Sequence, residues 1–194
     1  MPSHSLSKIS DLANLDHFNE VLDNILVPRV VGTESHKKVR EYIVKSMKDL
    51  NWNVELDEFV DKTPIFGDLK FSNIIATLNP EAERFLVIAC HYDSKYFKDQ
   101  EFLAATDSAV PCAQMINLVY VLKDYLESTK SNNDLSLKLI FFDGEEAFKT
   151  WTSTDSIYGA RHLAKKWDNE GFLPRIVSIP ELNILFILLI DFFF

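Results

Sequence analysis

Two apolar runs constrain the fold of this chain most strongly, because each is nearly continuous and ends directly in polar residues. RFLVIAC begins at Arg84 and runs straight into His91, while LSLKLIFFD at positions 135–143 is followed by Gly144. Such continuity is typical of strands that are buried on both faces of a sheet. We therefore expect both runs to lie inside a layered structure.

Other segments predict helices and more strands around these two. The apolar residues Val39, Ile43, Met47 and Leu50 share one helical face, which predicts an amphipathic helix from Glu34 to Leu50 with a cap at Thr33 or Ser35. Further helices are predicted over 108–127, with Pro111 in the first turn, and from a cap at Asp155 to about Trp167. Strands are predicted at 53–59 and from 71 onward. This alternation is typical of an α/β layered sheet.

Charge and hydropathy exclude two classes of partner. A formal net charge of -9 and a pI near 5.0 lack the basic field of a nucleic-acid binder. The longest apolar run of the tail, 184–190, is far shorter than the roughly 20 residues that span a bilayer. The first residues contain no apolar core of signal-peptide length, so we expect no targeting signal in this start. A cytoplasmic or mitochondrial protein and a processed or alternatively initiated form of a secreted one are then the alternatives.

Polar clusters follow both apolar runs, at positions 91–94 and 144–146, and Asp107 lies between them at the start of a predicted helix. Open α/β sheets place their sites beyond the carboxyl ends of strands. Aspartate, glutamate and histidine are ligands that zinc accepts, and the adjacent Glu145 and Glu146 could divide metal binding and proton transfer. Other interpretations remain: a solvated acidic loop, an N-cap at Asp107, or a structural role for His91.

Longer strings carry a family resemblance. ACHYDSKYF (89–97), ATDSAVPCA (105–113), LIFFDGEEAF (139–148) and DSIYGARHLA (155–164) closely resemble animal glutaminyl cyclases, and FSNIIATLNP (71–80) fits as well. The resemblance implies a zinc aminopeptidase-like α/β fold, with a central mixed, largely parallel sheet flanked by helices and incomplete at the carboxyl end. It also implies that residues 1–175 are the N-terminal portion of a catalytic domain and that 176–194 form a divergent apolar tail.

By motif, the resemblance implies one zinc ion bound by Asp107 and Glu146, with Glu145 as the catalytic acid and base. His91 would support this site from beside it. Trp151 would stand at the mouth of the substrate pocket, and Asp191 resembles an aspartate that positions the substrate.

The two cysteines, Cys90 and Cys112, are free thiols or one disulfide by residue count alone. The resemblance implies a disulfide between them. It further implies a secreted monomer whose partner is a peptide or protein with an N-terminal glutamine, which is converted to pyroglutamate with release of ammonia.

The sequence departs from this family in one respect. The third zinc ligand, a histidine near the family's carboxyl end, has no counterpart among His4, His17, His36, His91 and His162. We therefore expect a truncated form with weak zinc binding and impaired activity. A zinc aminopeptidase and a non-catalytic fragment are the alternatives.

Overall fold

Both helices and strands occur along residues 14–177, the part of the chain that the computed structural model describes. The elements are α1 (Leu15–Ile25), α2 (Glu34–Asp49), β1 (Asn53–Thr63), β2 (Gly67–Thr77), β3 (Arg84–His91), α3 (Val110–Val121), α4 (Lys123–Thr129), β4 (Leu135–Phe142), α5 (Tyr158–Asn169) and β5 (Ile176–Val177). The predicted α/β class is confirmed. Helix α1 was not anticipated from the sequence; the Asn14 side chain caps it by accepting the N–H of His17 at 3.0 Å.

The strands form one mixed sheet in the order β1-β2-β4-β3-β5. β1 pairs with β2 and β2 with β4 in antiparallel fashion, whereas β3 is parallel to both β4 and β5. The predicted mixed sheet is thus confirmed, with two parallel and two antiparallel pairings among the described strands. In the β3–β4 register His91 lies opposite Phe142, so both strands end at the same edge.

Side chains of the central strands alternate between two helical layers, as the two-residue period of a strand requires. Ile74 and Phe141 pack into a cluster with α1, α2 and α3, while their neighbours Ile75 and Ile140 pack on the opposite face with Leu163 of α5. The nearly continuous apolar runs therefore reflect burial on both faces.

Helix α2 agrees with its prediction, because it begins at Glu34 and the Thr33 side chain accepts the N–H of His36 at 3.2 Å. The helix predicted over 108–127 is wrong in its extent. It is divided into α3 and α4 at Leu122, and the segment before Val110 is an irregular turn over Ala105–Ala109. None of the helices in the described region is long and apolar enough to cross a membrane.

The predicted cap at Asp155 is also wrong. Helix α5 begins at Tyr158, and the carboxylate of Asp155 instead accepts backbone N–H groups of residues 148, 149 and 150 at 2.9–3.0 Å. A carboxylate can accept several backbone N–H groups in a loop as well as at the start of a helix. Asp155 thereby closes the loop that follows β4.

Gly159 brings α5 into close contact with Asn73 of β2 and with Asp143, just after β4. Its N–H donates to the carbonyl oxygen of Asp143 at 2.9 Å, and its own carbonyl accepts from the side-chain amide of Asn73 at 3.0 Å. A Cβ at this position would collide with the Asn73 side-chain oxygen and lie 2.5 Å from the Asp143 carbonyl oxygen. The close approach is possible only without a side chain.

We predict that Gly159→Ala lowers the free energy of unfolding by about 1–3 kcal/mol, because the added methyl overpacks this contact. Urea denaturation followed by circular dichroism measures the change. Ala164→Ser on the exposed side of α5 is the matched control, expected to stay within about 0.5 kcal/mol. Equal stability of Gly159→Ala and the parent chain would contradict the described packing.

Candidate active site

The parallel pairing of β3 and β4 delivers two polar segments to one edge of the sheet. The N–H of Tyr92, just past β3, donates to the carbonyl oxygen of Phe142 at 2.9 Å. Residues 91–94 and 143–146 therefore leave the sheet side by side. The carboxyl ends of such strands are where α/β sheets place their sites.

Asp93 holds the start of the second segment. Its side chain is buried, and its two oxygens accept the N–H groups of Glu145 at 3.0 Å and Glu146 at 3.2 Å. Burial opposes the charge of this carboxylate, but the interaction with His91 and the two backbone donors outweigh it and lower the pKa of Asp93. A buried anion thus fixes the backbone of both glutamates.

His91 lies among three carboxylates and is almost fully buried. Its Nε2 donates to Oδ1 of Asp107 at 2.5 Å and is 4.0 Å from Oε2 of Glu145. Its Nδ1 is 3.4 Å from Oδ1 of Asp93, at ion-pair distance but without the alignment of a hydrogen bond. Burial disfavours the imidazolium, yet Asp107, Asp93 and Glu145 together raise the pKa of His91 well above its ordinary value.

Glu145 and Glu146 are buried, with 5% and 7% exposure, so the acidic pair is not a solvated loop. Burial raises the pKa of Glu145 to about 8; His91 opposes this shift, and the nearby carboxylates reinforce it. Burial also raises the pKa of Glu146, partly offset by Lys95, whose Nζ donates to Oε2 of Glu146 at 2.9 Å. The negative charge of Asp107 helps to raise the pKa of both glutamates, so Asp107, Glu145 and Glu146 interact electrostatically.

Asp107 belongs to the irregular turn before α3 and does not cap that helix. Its backbone is non-helical (φ -122°, ψ 80°), and α3 starts at Val110 without a side-chain cap. The Asp107–Ser108 peptide bond is cis, and the Ser108 hydroxyl donates to the carbonyl oxygen of His91. The turn is therefore attached to His91 through both Asp107 and Ser108.

Trp151 and Asp191 are the two other predicted site residues. Trp151 is 56% exposed in the loop between β4 and α5. Asp191 lies outside the described residues. Sequence reasoning missed Asp93 and Lys95, although both stand in the string HYDSK. The available indication was the spacing of His91 and Asp93, since residues two apart in an extended segment share a side.

The donor set fits a divalent cation in part. Asp107 and Glu146 supply carboxylate oxygens that zinc accepts, and a cation between them would counter both the burial and the lesser charge repulsion that raise the pKa of Glu146. Within residues 14–177, however, no group of three or more His, Cys, Asp or Glu side chains is arranged to hold a metal ion. The described region therefore offers two carboxylates and not a complete metal site.

Cys90 and Cys112 connect the same two segments. Both are buried free thiols in this structure, with their sulfurs 2.8 Å apart, and Sγ of Cys112 lies 3.1 Å from the carbonyl oxygen of His91. The pair joins the end of β3 to the first turn of α3. It thus reinforces the attachment made by Asp107 and Ser108.

Comparison with known proteins gives a family. A model of peptidase family M28 matches residues 73–188. The glutaminyl-peptide cyclotransferase of Drosophila melanogaster is 59% identical over 176 residues, covering 91% of this chain and 49% of the relative. That of Bos taurus is 46% identical over 192 residues, covering 92% and 53%. The chain thus spans about half the length of the curated relatives it matches.

Solved structures share the fold. The glutaminyl cyclase of Macrostomum lignano superimposes with a TM-score of 0.82 at 41% identity, covering 91% of this chain and 54% of that one. A Zn-dependent exopeptidase from Parabacteroides distasonis gives a TM-score of 0.67 at 20% identity, covering 78% and 56%. At that identity the second match concerns the fold alone.

We predict that Asp93→Asn lowers the free energy of unfolding by about 1–3 kcal/mol, because an amide has one acceptor oxygen for the two backbone donors of Glu145 and Glu146. Urea denaturation measures the loss. Asp99→Asn, at an exposed position of the same connection, is the control and should change stability by less than about 0.5 kcal/mol. Equal effects of the two substitutions would refute the role given to Asp93.

Proposed function

This chain belongs to peptidase family M28, and from its likeness to glutaminyl cyclases we propose that it is the amino-terminal part, residues 1–175, of a zinc-dependent glutaminyl-peptide cyclotransferase. The reaction would convert the N-terminal glutamine of a peptide or protein to pyroglutamate and release ammonia. Residues 176–194 would be a divergent tail beyond that portion. The proposal concerns the activity of a whole enzyme of which this chain spans about half.

The observation that carries the proposal is the environment of Glu145. Burial raises the pKa of this carboxyl to about 8, and its Oε2 lies 4.0 Å from Nε2 of His91. A group that must both accept and return a proton works best when its pKa is near the working pH. Glu145 therefore suits the proton shuttle that cyclisation requires.

Asp107 and Glu146 would hold the zinc ion, which when bound supplies a positive charge that polarises the side-chain amide of the substrate glutamine. As the substrate α-amine forms its bond to the amide carbon, Glu145 would accept a proton from that nitrogen. Glu145 would then return the proton to the amide nitrogen as its bond to carbon breaks and ammonia leaves. The bond formation is intramolecular, so holding the glutamine curled supplies much of the acceleration.

Neighbouring residues would orient these groups. His91 donates to Asp107 at 2.5 Å, the kind of contact that fixes the direction of a metal-binding carboxylate. Trp151, exposed in the loop between β4 and α5, would line the mouth of the substrate pocket. Asp191 would help position the substrate. An active enzyme would act as a monomer and would need a third ligand beyond the pair described here.

A second candidate, a zinc aminopeptidase, is favoured by the match to the peptidase family model. In such an enzyme Glu145 would activate water and shorten the peptide. Mass spectrometry separates the two reactions, because cyclisation removes ammonia from a glutaminyl peptide and hydrolysis removes a whole residue. A third candidate, a non-catalytic fragment, would bind no zinc in stoichiometric amount and release neither product.

We predict that the 194-residue chain binds zinc weakly and releases ammonia slowly from a glutaminyl peptide, because two carboxylates leave the first shell of the metal open. Asp107→Asn should weaken zinc binding at least tenfold, and Glu145→Gln should lower ammonia release by roughly 10²- to 10⁴-fold while zinc remains bound. Calorimetric zinc titration and an ammonia assay measure the two effects.

The control for both variants is Glu83→Gln, which alters an exposed acidic residue just before β3 and should change neither measurement. Ammonia release by Glu145→Gln at the parent rate would overturn the assignment of the shuttle. Cyclisation by the parent chain at rates typical of complete enzymes would overturn the expected impairment.

We further propose that Cys90 and Cys112 are oxidised to a disulfide when the protein passes through the secretory pathway. The bridge would close a loop with a sequence separation of 22 residues, which the chain-entropy model values at about 3 kcal/mol. Reductant should therefore lower the free energy of unfolding of the oxidised chain by about that amount. A Cys90→Ala, Cys112→Ala double variant should not respond, and an equal response by that variant would contradict the proposal.

A further inference from the structure

Arg29, in the connection between α1 and α2, is completely buried, and within residues 14–177 its guanidinium donates to backbone oxygens alone. Its Nε donates to the carbonyl of Tyr92 at 2.7 Å and its Nη1 to that of Leu103 at 2.6 Å. Its Nη2 donates to the carbonyl of Ala104 at 3.0 Å, and its Nη1 also donates to the carbonyl of Val27 at 3.2 Å. One guanidinium thus bonds to two segments that are separated in sequence.

The backbone of Arg29 strengthens one of these attachments. Its N–H donates to Oγ of Ser94 at 2.9 Å, and its carbonyl accepts the N–H of Ser94 at 3.2 Å. Side chain and main chain together therefore fix the stretch 92–94 that contains Asp93. Burial lowers the pKa of Arg29, and the charges of Asp93 and Asp107 are among the interactions that oppose this shift.

The second attachment leads to Asp107. Ala104 adopts a left-handed backbone conformation (φ 47°), which is unfavourable for a residue with a side chain. Its carbonyl oxygen accepts both from Arg29 and from the N–H of Ala109 at 3.0 Å, so this oxygen anchors both ends of the turn that contains Asp107. Arg29 supports an otherwise disfavoured loop conformation three residues before the proposed ligand.

We propose that Arg29 is a positioning residue that holds the Asp107 turn against the end of β3 and so fixes the contact between Asp107 and His91. The importance of this role for catalysis rests on the proposed function, whereas the positioning of the turn by Arg29 does not. Arginine is suited to the task because its planar, permanently charged fork presents several donors in fixed directions. A lysine carries its three N–H donors on a single nitrogen, which cannot occupy the separate positions from which the three Arg29 nitrogens reach the carbonyls of Tyr92, Leu103 and Ala104.

The test compares Arg29→Lys with the parent chain by two measurements that need no metal. Nuclear magnetic resonance should show the Nε2–H proton of His91 moving upfield, because its 2.5 Å hydrogen bond to Asp107 lengthens. Hydrogen exchange of the amides of Ser94 and Ala109 should accelerate at least tenfold. Amides of the β1–β2 ladder should exchange at the parent rate.

The control is a core variant with a matched loss of stability, either Ile43→Val or Ile43→Ala, chosen by urea denaturation. It should leave the His91 proton and both amides unchanged. No response in Arg29→Lys, or the same response in the control, would overturn the positioning role. If Arg29→Lys does not fold, Ser94→Ala removes one attachment and is expected to accelerate exchange at Ser94 and shift the His91 proton; an unchanged proton there would also refute the role.

Zinc titration tests whether Arg29 also affects metal binding. Arg29→Lys should raise the zinc dissociation constant at least tenfold relative to the Ile43 control, since a displaced Asp107 would no longer be oriented to share a zinc ion with Glu146. Failure of the parent chain to bind zinc would count against the proposed function alone. The His91 proton and the two amides would still decide the positioning role.

Discussion

The buried carboxylate of Asp93 is the constraint on which the site depends. An anion without solvent must be surrounded by donors, and Asp93 obtains them from the consecutive N–H groups of Glu145 and Glu146 and from the charge of His91. That requirement fixes the backbone of the loop after β4 relative to the end of β3. The two glutamates can then present their side chains to a shared space, because their main chain is already held.

The sheet explains why these groups meet at all. Parallel pairing of β3 and β4 places His91 beside Phe142, and the next residues of each strand carry the polar side chains. The apolar strands β3 and β4 thus form part of the core and also position the polar residues of the site. Loss of packing in the core and loss of geometry in the site are consequently difficult to separate by substitution, which is why matched core variants are needed as controls.

Sequence patterns predicted the parts that depend on local periodicity. The buried strands follow from runs of apolar residues and α2 from helical periodicity. The polar clusters at the two strand ends, with Asp107 between them, led to the prediction that Asp107, Glu145 and Glu146 converge on one metal ion. The irregular turn at Asp107 and the role of Asp155 could not be predicted, since each depends on hydrogen bonds formed only in the folded chain. Arg29 escaped notice for the same reason: its partners are backbone atoms distant in sequence.

The backbone character of the Arg29 contacts has an evolutionary consequence. Every residue has a carbonyl oxygen, so the guanidinium recognises the path of the chain at Val27, Tyr92 and Leu103 and not the identity of the amino acids there. As far as the guanidinium hydrogen bonds are concerned, side chains at such positions can change without loosening the loop. The selective constraint of these bonds falls on the codon for the arginine, while Tyr92 and Ser94 keep side-chain contacts of their own.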